Sequence, residues 1–179
     1  DCVVQTSANR RKQFLIADMD STMIDQECID ELADELGLKD KVAGITARAM
    51  NGEIEFDAAL RERVGLLAGL PVSTIDSVYE NKITFASGGQ TLLATMKARG
   101  AFAALVSGGF THFTSKVADA LGFDENRANT LLTDGDKLSG EVSDPVLGSS
   151  AKVQAMNEIV ERLEITHDDV IAVGDGAND

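Results

Sequence analysis

Cysteine is almost missing from this sequence. Cys2 and Cys28 are the only two in 179 residues, too few and too poorly placed for a disulfide framework or a thiolate metal site, so each reads as a free thiol. Positive charge is scarce too. Sixteen Lys and Arg stand against thirty Asp and Glu, a formal net charge of −14, which argues against nucleic acid or an anionic membrane as a partner. No stretch approaches the roughly 20 apolar residues of a membrane helix, and no signal-peptide pattern precedes the first apolar run. Internal repeats and low-complexity tracts are absent. A cytoplasmic enzyme is the expectation, and any anionic substrate must be drawn in by local positive groups and metal.

Three short apolar runs are present, each ending in residues suited to chemistry. Phe14-Leu15-Ile16-Ala17 leads into Asp18-Met19-Asp20-Ser21-Thr22-Met23. Residues i and i+2 of an extended segment point to one side, so Asp18 and Asp20 converge. Carboxylates that close repel unless a cation neutralises them, and a hard dication such as Mg²⁺ suits oxygen ligands. A strand followed by an N-capped helix is the plainer reading of the same residues. Phe102 to Val106 ends in Ser107-Gly108-Gly109-Phe110 before a helical pattern from about Thr111 to Leu121. This reads as strand, glycine turn, helix, with backbone N–H groups and the Ser107 hydroxyl available to a phosphate. Val170 to Val173 ends in Gly174-Asp175-Gly176-Ala177-Asn178-Asp179. Ligands bind outside the carboxyl ends of strands in an open parallel sheet, so the three ends should meet. Lys152, at the start of a helical segment Ala151 to Leu163, is placed to supply positive charge there.

The periodicity also divides the chain. Residues 1–12 read as a linker or disordered terminus. Helical stripes at Ile29, Leu32, Ala33 and Leu36, at Val42, Ile45 and Ala49, and at Leu60, Val64 and Leu67 mark a long insertion, with Pro71 expected to open a fourth helix running to about Lys82. Hung from the active-site end of the sheet, residues 26–85 read as a helical cap on a core formed by 13–25 and 86–179. Leu131 to Val142 reads as a β-hairpin around Asp134-Gly135-Asp136.

Asp-Met-Asp-Ser-Thr, Ser-Gly-Gly-Phe, the lysine before the third strand and Gly-Asp-Gly-Ala-Asn-Asp resemble, in order, the four motifs of the haloacid dehalogenase superfamily. Within it, Met50-Asn51-Gly52 and Phe56 to Val64 look like the substrate-sensing cap of the phosphoserine phosphatase branch. The resemblance covers about Gln13 to Asp179. It implies an α/β fold, a Rossmann-like hydrolase core of parallel sheet with an inserted helical cap. It implies hydrolysis of a small phosphomonoester, phosphoserine, in serine biosynthesis: Asp18 as nucleophile through a phosphoaspartyl intermediate and Asp20 as general acid and base. Mg²⁺ would be held by the Asp18 side chain, the Asp20 main-chain oxygen and Asp175. Ser107, the Gly108 amide and Lys152 would hold phosphoryl oxygens, with Asn178 on substrate or phosphate and Asp179 near Lys152 or metal-bound water. Glu27 would accept the substrate ammonium, Arg63 would clamp its carboxylate, and Met50 and Phe56 would close the apolar side. From spacing alone, Glu27 and Arg63 read as ordinary helix charges.

The same resemblance implies that the core continues beyond the last motif, so these residues are expected to be a fragment of a longer chain. A homodimer is compatible with this reading. A receiver domain also clusters acids and a lysine but lacks a large insertion after its first strand; a true dehalogenase needs neither a second acid at Asp20 nor Mg²⁺. A phosphatase or phosphotransferase for another small phosphomonoester, and an inactive module, remain as alternatives.

Overall fold

The computed structural model describes residues 2, 4 and 10–176. The roles expected of Asn178 and Asp179, and most of the 1–12 segment, lie outside the described residues. Four parallel strands form the main sheet in the order β3-β2-β1-β6: β1 is Phe14–Ala17, β2 Phe102–Phe110, β3 Glu125–Asn129 and β6 Val170–Val173. In register, Phe14 of β1 stands beside both Phe102 and Val170.

Central position explains why β1 and most of β2 are continuous apolar runs rather than alternating ones. A parallel strand covered on both faces needs apolar residues at every position. Leu15, Ala17, Ala103 and Leu105 point into the larger core, with Phe113, Val117 and Ala118. Phe14, Ile16, Ala104 and Val106 point the other way, against Ala155, Ile159 and Val160. Each fully buried aliphatic or Phe side chain contributes about 1.5–3 kcal/mol. Helix α6, Thr111–Leu121, packs on the first of these faces and α7, Ser149–Arg162, on the second. Gly122, at φ +91°, ends α6 in the left-handed region, where a glycine carries no Cβ penalty.

Between β1 and β2 lie the helices that the stripes predict, α1 at Cys28–Asp34, α2 at Lys39–Met50, α3 at Phe56–Gly65 and α4 at Ser73–Lys82, followed by α5 at Gly89–Lys97. Two details differ from expectation. The fourth helix begins at Ser73, because Pro71 instead bridges Lys137 of the hairpin. The Ser107-Gly108-Gly109-Phe110 stretch is no turn; β2 runs through it, and Phe110 is the N-cap of α6. Helix α5 and strand β3 escape the sequence reading. Short and mixed in composition, Glu125-Asn126-Arg127-Ala128-Asn129 has only Ala128 and Asn129 buried.

The expected hairpin forms from β4, Leu131–Asp134, and β5, Lys137–Val142. It joins the helical insertion rather than the sheet. Gly69 N–H donates to Leu138 O at 2.8 Å, Leu138 N–H to Leu70 O at 2.9 Å, and Val72 N–H to Asp136 O at 2.8 Å.

Candidate active site

At the carboxyl ends of β1, β2 and β6 a cavity of about 580 Å³ opens beneath the helical insertion. Asp18, Asp20, Glu27, Arg63, Ser107, Gly108, Lys152 and Asp175 all line it, as do Met50 and Phe56. Eight expected site residues, drawn from positions 18 to 175, thus meet in one volume of a size usual for small-molecule sites.

Local structure fixes each. Asp18 N–H donates to Val173 O at 3.0 Å, so the chain leaving β1 is still held beside β6. Asp18 is 9% exposed; its Oδ1 accepts from Met19 N–H at 2.8 Å and its Oδ2 from Lys152 Nζ at 2.7 Å. Met19, fully buried, turns into the core between the two acids, the alternation expected of extended backbone. Lys152 reaches down from the first turn of α7.

Asp20 is under electrostatic pressure. Removal from water, then the charges of Glu27 and Asp18, push its carboxyl from 3.8 up to about 7, while Cys28 opposes this through its thiol and backbone N–H. Its Oδ1 is shut away from solvent with no hydrogen-bond partner among the described residues. Ser107, 3% exposed, accepts from Gly109 N–H through Oγ at 2.9 Å. Ser21, at φ +52°, donates through Oγ to Glu27 Oε1 at 2.6 Å. Glu27 is itself raised above its usual value, chiefly by burial.

Arg63 is steadied by two bonds: Nε donates to Ala59 O and Nη1 to Thr46 Oγ1, both at 3.3 Å. Burial lowers its pKa against the opposing pull of Asp30, Glu27 and Asp20. Asp30, Thr46 and Gly109 also line the cavity and were not singled out from the sequence. Asp30 is hidden in the acidic run Glu27 to Glu31, and nothing in the sequence marks Thr46. Gly109 stands within the Ser-Gly-Gly motif, which does not tell its two glycines apart.

The haloacid dehalogenase-like hydrolase family matches residues 15–179. The chain belongs to that family. It is 41% identical over 181 residues to a phosphoserine phosphatase of Archaeoglobus fulgidus, covering 100% of this chain and 52% of the relative. It is 42% identical over 181 residues to a probable phosphoserine phosphatase of Schizosaccharomyces pombe, covering 100% and 60%. The chain therefore spans only a little over half the length of these two relatives. A solved phosphoserine phosphatase, a phosphoaspartyl-intermediate analogue, superposes with a TM-score of 0.87 at 38% identity over 95% of this chain and 81% of that one. The parallel sheet with flanking helices is the family's fold.

Phosphatases of this family generally use a divalent metal. The residues here fit one. Five carboxylates, of Asp18, Asp20, Glu27, Asp30 and Asp175, face the cavity against two cations, Arg63 and Lys152. Added positive charge favours the entry of a phosphate dianion among so many carboxylates. The donors are hard oxygens suited to such a cation. Among the described residues no three His, Cys, Asp or Glu side chains form a metal cage. Among the described residues no helix is long and apolar enough to cross a membrane.

Proposed function

We propose that the protein is an Mg²⁺-dependent phosphatase that hydrolyses O-phospho-L-serine to serine and phosphate. The observation that carries this is the convergence in one cavity of the Asp18–Lys152 pair and Ser107 with Glu27 and Arg63. The first group suits a phosphate; the second suits the ammonium and carboxylate of an amino acid. Guanidinium geometry matches a carboxylate bidentately.

In this reading the Asp18 carboxylate bonds to phosphorus as the bond to the serine oxygen breaks, and Asp20 gives that oxygen its proton. Water then attacks phosphorus and Asp20 takes its proton. The acyl-phosphate bond breaks, which regenerates the Asp18 carboxylate and releases inorganic phosphate. Burial and the neighbouring Glu27 and Asp18 charges raise the Asp20 carboxyl, which favours the protonated form that gives up the proton. Ser107, the Gly108 N–H and Lys152 hold the other phosphoryl oxygens. Asp18, the Asp20 main-chain oxygen and Asp175 would hold Mg²⁺, which when bound supplies charge neutralisation at those oxygens.

Residues 26–85 act as the cap over a core of 13–25 and 86–179, with the 131–142 hairpin of the core hydrogen-bonded to the cap at Gly69, Leu70 and Val72. Met50 and Phe56 give the cavity its apolar side. Two free cysteines, Cys2 exposed and Cys28 buried, agree with a reducing cytoplasm.

Phosphate release from L-phosphoserine by the full-length enzyme, with Mg²⁺ or with a chelator, beside Asp18→Asn, tests the reading. Release is expected to require both Mg²⁺ and Asp18. Release that survives Asp18→Asn would overturn the nucleophile; no release from a folded, metal-binding protein would overturn the substrate.

A further inference from the structure

Between β2 and β3 the ladder loses its register. Val106 pairs with Arg127 and Phe110 with Asn129, so four steps along β2 match two along β3. Two β2 residues beyond the matched count are left without a place in the ladder, within the segment that contributes Ser107, Gly108 and Gly109 to the cavity. Such a bulge re-aims a strand but leaves backbone groups to be satisfied in another way.

Asn129 does this. Its side chain is 1% exposed and makes three hydrogen bonds. Nδ2 donates to Gly108 O at 2.8 Å and to Leu147 O at 3.1 Å, and Oδ1 accepts from Leu147 N–H at 2.7 Å. Gly148 and Ser149, next in the chain, line the cavity, and Ser149 begins the helix whose first turn carries Lys152. The carboxamide thus ties the bulged glycine segment to the entry of α7. No other side chain is hydrogen-bonded to both among the described residues.

We infer that Asn129 is a positioning residue for phosphate: it sets the spacing between the Ser107–Gly109 backbone and the Lys152 helix, so that the groups meeting a phosphoryl oxygen are held at one separation. The inference rests on the phosphatase reading above. Only an amide side chain can both donate to two carbonyls and accept from an N–H here. A buried carboxylate in its place would face two carbonyl oxygens without protons to give.

The test compares Asn129→Ala and the near-isosteric Asn129→Asp with Thr114→Val in the full-length enzyme. Thr114 is also fully buried, and its Oγ1 donates to Asn126 Oδ1 at 2.9 Å at the contact of α6 with β3, away from the cavity lining. The readouts are inorganic phosphate binding by calorimetry with Mg²⁺ present, KM and kcat for phosphoserine and for 4-nitrophenyl phosphate, and the unfolding midpoint. Both Asn129 variants are expected to weaken phosphate binding and raise KM about tenfold for either substrate, whereas Thr114→Val loses stability alone. Phosphate affinity and KM unchanged in a folded Asn129 variant, with kcat falling only by the unfolded fraction as in Thr114→Val, would overturn the inference. If Asn129→Ala does not fold, Asn129→Asp decides. An unmodified enzyme that binds phosphate but hydrolyses neither substrate would overturn the phosphatase reading, while the binding comparison still decides the role of Asn129.

Discussion

Gly109 lies against the Asp20 carboxyl so closely that a Cβ at position 109 would stand 2.9 Å from Asp20 Oδ2, with Ser107 Oγ at 3.1 Å and Met19 Cε at 3.2 Å. The second glycine of the motif is therefore there for the first motif's acid. Gly109→Ala should displace the Asp20 carboxyl rather than the backbone. Its kcat for phosphoserine is expected to fall at least about tenfold, since misplacement by an ångström can cost far more than that, while stability falls by only about 1–3 kcal/mol. Full activity in this variant would mean that Asp20 has room to spare.

Arg63→Ala separates recognition from chemistry. Loss of the guanidinium should raise KM for phosphoserine about 10–100-fold, while a phosphomonoester without a carboxylate changes by less than about threefold. Steady-state kinetics on both substrates decide it, and equal losses would assign Arg63 to folding.

Asp20 carries a pH-dependent cost in the metal-free protein. Its folded pKa of about 7 lies above the unfolded value of 3.8, so the folded state binds the extra proton between these values and loses stability as pH rises through that window. Asp20→Asn removes the cost. The metal-free variant should be more stable than its parent by a few kcal/mol at pH 8 and by much less at pH 4, as read by denaturant midpoints. A constant difference across pH would contradict the raised value.

Gly140 of β5 sits at φ +84°, and a Cβ there would lie 2.8 Å from Ala68 Cβ and 3.4 Å from Gly65 O. Ala68 has no flexible end to yield. Gly140→Ala is expected to cost roughly 2–4 kcal/mol, from left-handed strain plus overpacking, measured by thermal or denaturant unfolding; an unchanged midpoint would show that the hairpin is loosely held.

The features legible in the sequence were those written in local patterns. β1 and α6 appear where the apolar run and helical spacing put them, because burial on both faces or on one stripe leaves an unmistakable composition; β6 also lies at its apolar run, although none of its residues is buried. The Asp18, Ser107, Lys152 and Asp175 convergence was legible because parallel strands bring their carboxyl ends together. β3 was not, since Glu125, Asn126 and Arg127 on an outer strand are only half-buried and leave no apolar signature. The Ser-Gly-Gly stretch was misread as a turn because glycine permits bulged extended backbone as readily as a turn. Asn129 and Thr46 left no trace at all: their partners are 18 to 21 and 17 residues away, and nothing local records such a bond.

The hairpin gives the helical insertion a second attachment. Residues 26–85 leave and rejoin the sheet near Ile24 and Phe85, which bridge one another, while the hairpin's neck is closed by Ser143 N–H donating to Thr130 O at 2.9 Å. The insertion that carries Arg63 and Phe56 is thus tied to the rest of the fold at two separate places rather than one. The second tie begins at Thr130, the residue next to Asn129, whose carboxamide joins the glycine segment to the entry of the Lys152 helix.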